Sequence, residues 1–149
     1  MRIVGIDPGQ SGAIAVLDEC GLVRTFRFSR MDENDVWGCL SNLDDGNTSC
    51  FLEKVHATPQ MGVTSAFKFG CGYKMAHCFA IAAGLDPILV TPQKWQKELG
   101  LISTGRKIGK GDTDKKNRNK AMAKELFPEV QVTHATADAL LIAHYGRLQ

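Results

Sequence analysis

The stretch that decides the fold is Met1-Arg-Ile-Val-Gly-Ile-Asp-Pro-Gly-Gln-Ser-Gly-Ala-Ile-Ala-Val-Leu17, an apolar run broken by a short polar turn. Arg2 to Ile6 reads as a short buried strand, Pro8 to Gly12 as a turn and Ala13 to Leu17 as the returning strand of a hairpin. Asp7 falls at the strand end. Aspartate is a poor strand former, and Gly9 and Gly12 let a ligand or another backbone come close. Asp7 is thus either an Asx residue bonding its own turn or a carboxylate offered to a ligand.

Outward from the hairpin, Asp18-Glu-Cys-Gly21 is a second turn and Leu22 to Phe28 a third antiparallel strand. Asp32 is placed to cap a helix in which Val36, Leu40 and Leu43 recur at helical spacing, closed by Asp44-Asp-Gly-Asn47. Ser49 to Val55 is a compact apolar strand with an acid inside it. That acid, Glu53, is costly to bury unless it is paired or binds a metal.

A loop from His56 to Gly62 leads to a helix over Thr64 to Ala83, with Phe69, Tyr73, Ala76, Ala80 and Ala83 on one stripe. Small residues in such a stripe permit close approach, either within the core or across a dimer seam, and the seam is the expectation pursued. Pro87 to Val90 is a short strand, and Thr91-Pro-Gln-Lys-Trp95 opens a capped helix. Gly100 to Gly111 reads as a basic loop. Asp112 or Asp114 caps a basic helix that stops before Pro128, and a last helix runs from about Ala135 to Leu148. The order predicts one α/β domain over 1–149 with a mixed five-stranded sheet, three antiparallel strands then two parallel ones reached by helical crossovers.

Composition agrees with one globular domain: 149 residues, 44% hydrophobic and 23% charged. The N-terminus lacks the apolar core of a signal peptide, and no run is long enough to span a bilayer, so a cytoplasmic protein without a membrane partner is expected. Five cysteines without Cys-x-x-Cys spacing indicate neither a disulfide frame nor a zinc site. The net charge of +2 hides a concentration of positive charge. Between Lys94 and Lys124 stand Lys94, Lys97, Arg106, Lys107, Lys110, Lys115, Lys116, Arg118, Lys120 and Lys124 against Glu98, Asp112 and Asp114. Such a segment is either a solvated helix face or a surface for a polyanion.

In the predicted topology the first strand and the Glu53 strand lie side by side and parallel, about 4.8 Å apart, so that Asp7 and Glu53 meet. Asp138 sits early in the last helix, with His134 one turn before it. Two or three carboxylates plus an imidazole suit Mg²⁺ or Mn²⁺, and two ions about 3.5–4 Å apart activate water and stabilise the leaving oxygen in phosphodiester hydrolysis.

Four segments together resemble the RuvC family of Holliday junction resolvases, in the ribonuclease H-like superfamily. They are Ile6-Asp-Pro-Gly9, Phe51-Leu-Glu-Lys-Val55, Pro92-Gln-Lys-Trp-Gln-Lys97 and Ala137-Asp-Ala-Leu-Leu-Ile-Ala143. The short variety found in bacteriophage and related mobile elements is the nearest comparison. The resemblance implies a ribonuclease H-like fold, a homodimer, and metal-dependent nicking of two opposed strands of branched DNA at a four-way junction. It assigns Asp7, Glu53 and Asp138 as catalytic metal ligands; at the fourth position, an acid or a histidine about one turn before the last aspartate in the family, this sequence departs, with Ala135 three residues before Asp138 and His134 the nearest candidate. It also implies that Lys94 and Lys97 flank the cleft and that the segment from Arg106 to Lys124 grips phosphates. The sequence departs from the family after Glu53, where Val55 and His56 replace the aromatic residue that opens the junction in the bacterial enzymes.

Rival readings remain open at this point. A related nuclease acting on flaps or RNA would use the same acids, and a noncatalytic nucleic-acid-binding module would keep the fold without needing them. The actin and sugar-kinase ATPases share an Asp-x-Gly hairpin but require two such lobes.

Overall fold

The computed structural model describes residues 1–102 and 112–149, with side chains for 1–102 and 115–149. The expected basic loop, with Arg106, Lys107 and Lys110, and the choice between Asp112 and Asp114 as cap lie outside these described residues.

The first hairpin forms as the alternation of turn and apolar residues demands. Strand β1 (Arg2–Asp7) pairs antiparallel with β2 (Ala13–Leu17), and Asp7 opposite Ala13 is the last pair before the turn. The turn is closed by Gly12 N–H donating to Gly9 C=O at 2.8 Å. Gly12 must be glycine, because a Cβ there would run into the backbone of Asp7. Strand β3 (Val23–Arg27) adds antiparallel to β2, after a turn in which Gly21 takes φ +83°.

The chain then crosses to the other side of β1. Helix α1 (Glu33–Ser41) starts at Asp32, whose carboxylate accepts from Asp35 N–H while the Asp35 side chain accepts from Asp32 N–H. Strand β4 (Thr48–Glu53) runs parallel to β1, with Ile6 opposite Leu52. Helix α2 (Val63–Ala82) leads to β5 (Ile88–Val90), parallel to β4. The sheet order is β3-β2-β1-β4-β5. This is the mixed five-stranded α/β sheet the sequence predicts.

Strand alternation sends Val4, Ile6, Ile14, Val16, Cys50 and Leu52 to one face, under α1 and α2. The opposite face packs on α3 (Pro92–Glu98), α4 (Asp112–Leu126) and α5 (His134–Arg147). Helix α3 is capped by Thr91 and carries Pro92 in its first turn, as read from sequence. Helix α5 begins one residue earlier than expected, because Thr133 and Thr136 form a reciprocal cap. No helix among the described residues is long and apolar enough to cross a membrane.

One expectation about α2 is corrected. Ala76 and Ala80 are fully buried beneath the sheet and α1, packed in the same cluster as Val4, Ile6, Val36 and Leu40, so the small-residue stripe is a core contact and not a subunit seam. The helix exposes Val63, Phe67 and Ile81 instead.

Candidate active site

Three carboxylates converge at the end of the sheet where β1 and β4 finish. Ile6 lies opposite Leu52 on adjacent parallel strands, so Asp7 and Glu53, the next residues, end the two strands together on the α5 side. The third acid is brought in by α5. A Cβ on Gly5 would overlap the backbone of Ala139 and Ala143, so the absent side chain lets α5 settle directly on β1. Gly146 does the same further along, against Phe51 and Ile3. This close seating carries Asp138, in the second turn of α5, to Asp7 and Glu53.

The carboxylates feel one another. Burial, followed by the negative charges of Glu53 and Asp138, pushes Asp7 up to about 7. Burial also pushes Glu53 up to about 7, with Asp138 adding to the rise while the bond from Trp95 and the charge of Lys115 oppose it. Asp138 is raised by burial, against the bond from Asn119 and the charges of Lys115, Lys116 and His134.

Each acid is held through one oxygen by a neutral donor. Gly9 N–H donates to Asp7 Oδ1 at 3.4 Å, a long bond. The Trp95 indole N–H donates to Glu53 Oε1 at 2.9 Å, and Asn119 Nδ2 donates to Asp138 Oδ1 at 2.7 Å. Among the described residues no hydrogen bond reaches the second oxygen of any of the three. Neutral donors fix the carboxylates without discharging them, in the manner of groups that orient metal ligands.

As they stand, no three His, Cys, Asp or Glu side chains among the described residues are close enough together to hold a metal ion. The donor chemistry nevertheless fits a hard divalent cation: three carboxylates raised by burial, two of them also by a neighbouring acid, each with a free oxygen, lacking a cation bonded to them among the described residues.

No protein-family model matches the chain, and no curated protein matches it. Solved structures do. The structure of Thermus thermophilus RuvC matches with a TM-score of 0.59 at 17% identity, covering 99% of this chain and 96% of that one. The T. thermophilus RuvC in complex with Holliday junction substrate matches with the same TM-score and coverage at 16% identity. This chain has a RuvC-like fold.

Within this RuvC-like fold the residues expected at the site separate into two groups. Lys115 and Lys116, on the first turns of α4, are brought to the acids: Lys115 acts on Glu53 and Asp138, and Lys116 on Asp7 and Asp138. Arg118 and Lys120 follow on the same helix, both partly buried. His134 is the exposed first residue of α5, and its charge reaches Asp138. Lys94 is not brought in. Its ammonium lies 5.9 Å from the centre of the Tyr145 ring, about two turns along α5 from Asp138. Lys97 and His56 are exposed.

Two residues of the site were missed from sequence. Trp95 reads as core, and it is fully buried, but its N–H is also the donor to Glu53. Asn119 is 1% exposed in the middle of a polar helix. The available signal was its spacing: Asn119, Ala123 and Phe127 recur every four residues on one buried stripe, which places an amide where an apolar side chain belongs.

Proposed function

We propose that this chain is a divalent-metal-dependent endodeoxyribonuclease that resolves four-way DNA junctions, acting as a homodimer. The observation that carries the reading is the convergence of Asp7, Glu53 and Asp138, all raised by burial and each with a free oxygen. A module that only bound DNA would gain nothing from three carboxylates beside a phosphate. Junction DNA as substrate is supported by the RuvC-like fold, one neighbour of which is described in complex with a Holliday junction.

In this reading Asp7, Glu53 and Asp138 would hold Mg²⁺, or Mn²⁺ in its place, as two ions per site, with His134 as the fourth ligand. Bound there, such ions would supply Lewis acidity toward the phosphoryl oxygens and would activate a water at neutral pH. The chain does the rest. Trp95 and Asn119 hold Glu53 and Asp138 in one orientation. Lys115 and Lys116 draw the DNA backbone toward the acids, and Arg118 and Lys120 extend the grip along α4. Arg106, Lys107 and Lys110, with Lys94 and Lys97, belong to the wider phosphate surface. A junction of approximate two-fold symmetry is cut on opposed strands, so one site per chain requires two chains related by a matching axis.

The test is nicking of a synthetic four-way junction in Mg²⁺, beside duplex, flap and RNA–DNA hybrid. Asp7→Asn, Glu53→Gln and Asp138→Asn should each abolish cleavage while junction binding stays within a few-fold, because ligands are removed and phosphate contacts are not. Wild-type cleavage by any of the three overturns the site. Preference for flap or hybrid over the junction overturns the substrate.

A further inference from the structure

We propose that Arg27 and Arg30 form a second phosphate subsite, which holds the DNA strand a short distance from the phosphate being cut. The inference rests on the nuclease reading above. It begins with strand register: Asp7 lies opposite Ala13, and Ala13 opposite Arg27. Side chains opposite one another share a face, so Arg27 stands in the same row as Asp7, on the same side of the sheet, two strand spacings or about 10 Å away. A DNA strand advances about 3.4 Å per nucleotide along its axis, so a few nucleotides cover that gap.

A cavity opens at this end of the row. It has a volume of about 330 Å³ and lies between the end of β3, with Thr25, Arg27 and Arg30, and the approach to α5, with Gln131, Thr133 and Thr136. The turn carrying Arg30 is pinned to the catalytic hairpin, since Phe28 N–H donates to Gly12 C=O at 3.1 Å.

Neither guanidinium has an acidic partner among the described residues, a trait shared with Arg118 and Arg147. Arg2 pairs with Asp18 and Asp45, and Arg24 with Asp18, whereas neither Arg27 nor Arg30 meets a carboxylate. Two unneutralised guanidiniums in a concave polar site suit the oxygens of a phosphodiester, which each can bind in bidentate fashion. The alignment of Arg27 with Asp7 favours a phosphate of the strand held at the acids over a free anion.

The experiment measures binding of a fluorescent four-way junction in EDTA, across a salt series, for the wild type, Arg27→Gln/Arg30→Gln and Arg27→Lys/Arg30→Lys. Each lost phosphate contact lowers the slope of log affinity against log salt by about 0.9 on duplex DNA, so the glutamine pair should lower it by about 1.8 and the lysine pair should keep it. Arg27→Gln and Arg30→Gln singly should each give about half that drop, which covers failure of the double variant to fold. Junctions with one neutral methylphosphonate then locate the contact: the wild type should lose affinity at a position to which the glutamine pair is indifferent.

An unchanged slope with an unchanged methylphosphonate profile overturns the subsite. Competition by inorganic phosphate, with DNA binding unaffected by the substitutions, also overturns it and leaves a free-anion site. A lowered slope in a protein that does not nick any DNA in Mg²⁺ or Mn²⁺ overturns the nuclease reading and leaves the subsite standing. No DNA binding by the wild type overturns both.

Discussion

Trp95 donates its indole N–H to Glu53 Oε1 at 2.9 Å, and both side chains are buried. The bond links the first turn of α3 to the end of β4 and holds down a carboxyl that burial already pushes up to about 7. Trp95→Phe keeps an aromatic ring and removes the donor. The Glu53 carboxyl should then rise further, so cleavage should need more Mg²⁺ and its pH profile should move upward. Leaving a buried acceptor unpaired costs about 1–3 kcal/mol, which thermal melting should register. An unmoved Mg²⁺ midpoint and pH profile would reduce Trp95 to a packing residue.

Asn119 performs the same task for Asp138 from α4. Loss of a group that orients a metal ligand typically costs about 10–100-fold in metal affinity or activity, and that is the expected loss of cleavage for Asn119→Ala. Junction binding in EDTA should stay within a few-fold. Equal losses of binding and cleavage would contradict a positioning role.

The raised carboxyls set a pH dependence. Asp7 and Glu53 bind protons more tightly in the folded state, near 7, than at their ordinary values of 3.8 and 4.5. The stability they contribute is fully present below the ordinary values and is lost as pH rises through about 7. In EDTA, melting temperature should therefore fall between about pH 4 and pH 7 from this source, and Asp7→Asn should flatten the fall. Mg²⁺ should stabilise the protein more at pH 8 than at pH 6, since binding displaces protons. A Mg²⁺ effect independent of pH would contradict the assignment of these groups.

Lys115 and Lys116 act on all three acids from α4. Neutralising both should weaken binding to every DNA shape alike and flatten the salt dependence, because phosphate contacts release counterions without reading bases. An unchanged salt slope would return this run to a solvated helix face.

Gly5→Val tests how Asp138 reaches the site. The new side chain must displace α5 at Ala139 and Ala143, and overpacking of this kind costs about 1–3 kcal/mol. Melting temperature and cleavage should fall together. Gly9→Ala is the control: a Cβ there meets Asp7 Oδ1 at 3.7 Å and Gly12 N at 3.9 Å, ordinary contacts, so stability should hardly change.

The sequence by itself determined the elements whose signals are local. Turn glycines and alternating apolar residues defined the Asp7 hairpin, and an acid within an apolar run marked Glu53. Asp32 and Thr91 announced helix starts because a cap satisfies backbone N–H groups within its own first turn. Local signals failed where a residue's partner is remote in the chain. The alanines of α2 read as core or as a seam, core being the commoner meaning of such a stripe, and the packing of α2 on the sheet and α1 buried them. Lys94 shares a motif with Trp95, yet helical geometry turned it to Tyr145 while Trp95 turned to Glu53. The bond from Asn119 to Asp138 joins two helices, and the alignment of Arg27 with Asp7 spans three strands. Hydrophobic pattern fixes which face of an element is buried, but the pairing of one polar side chain with another depends on register and on how closely α5 approaches Gly5, and those the tertiary structure decided.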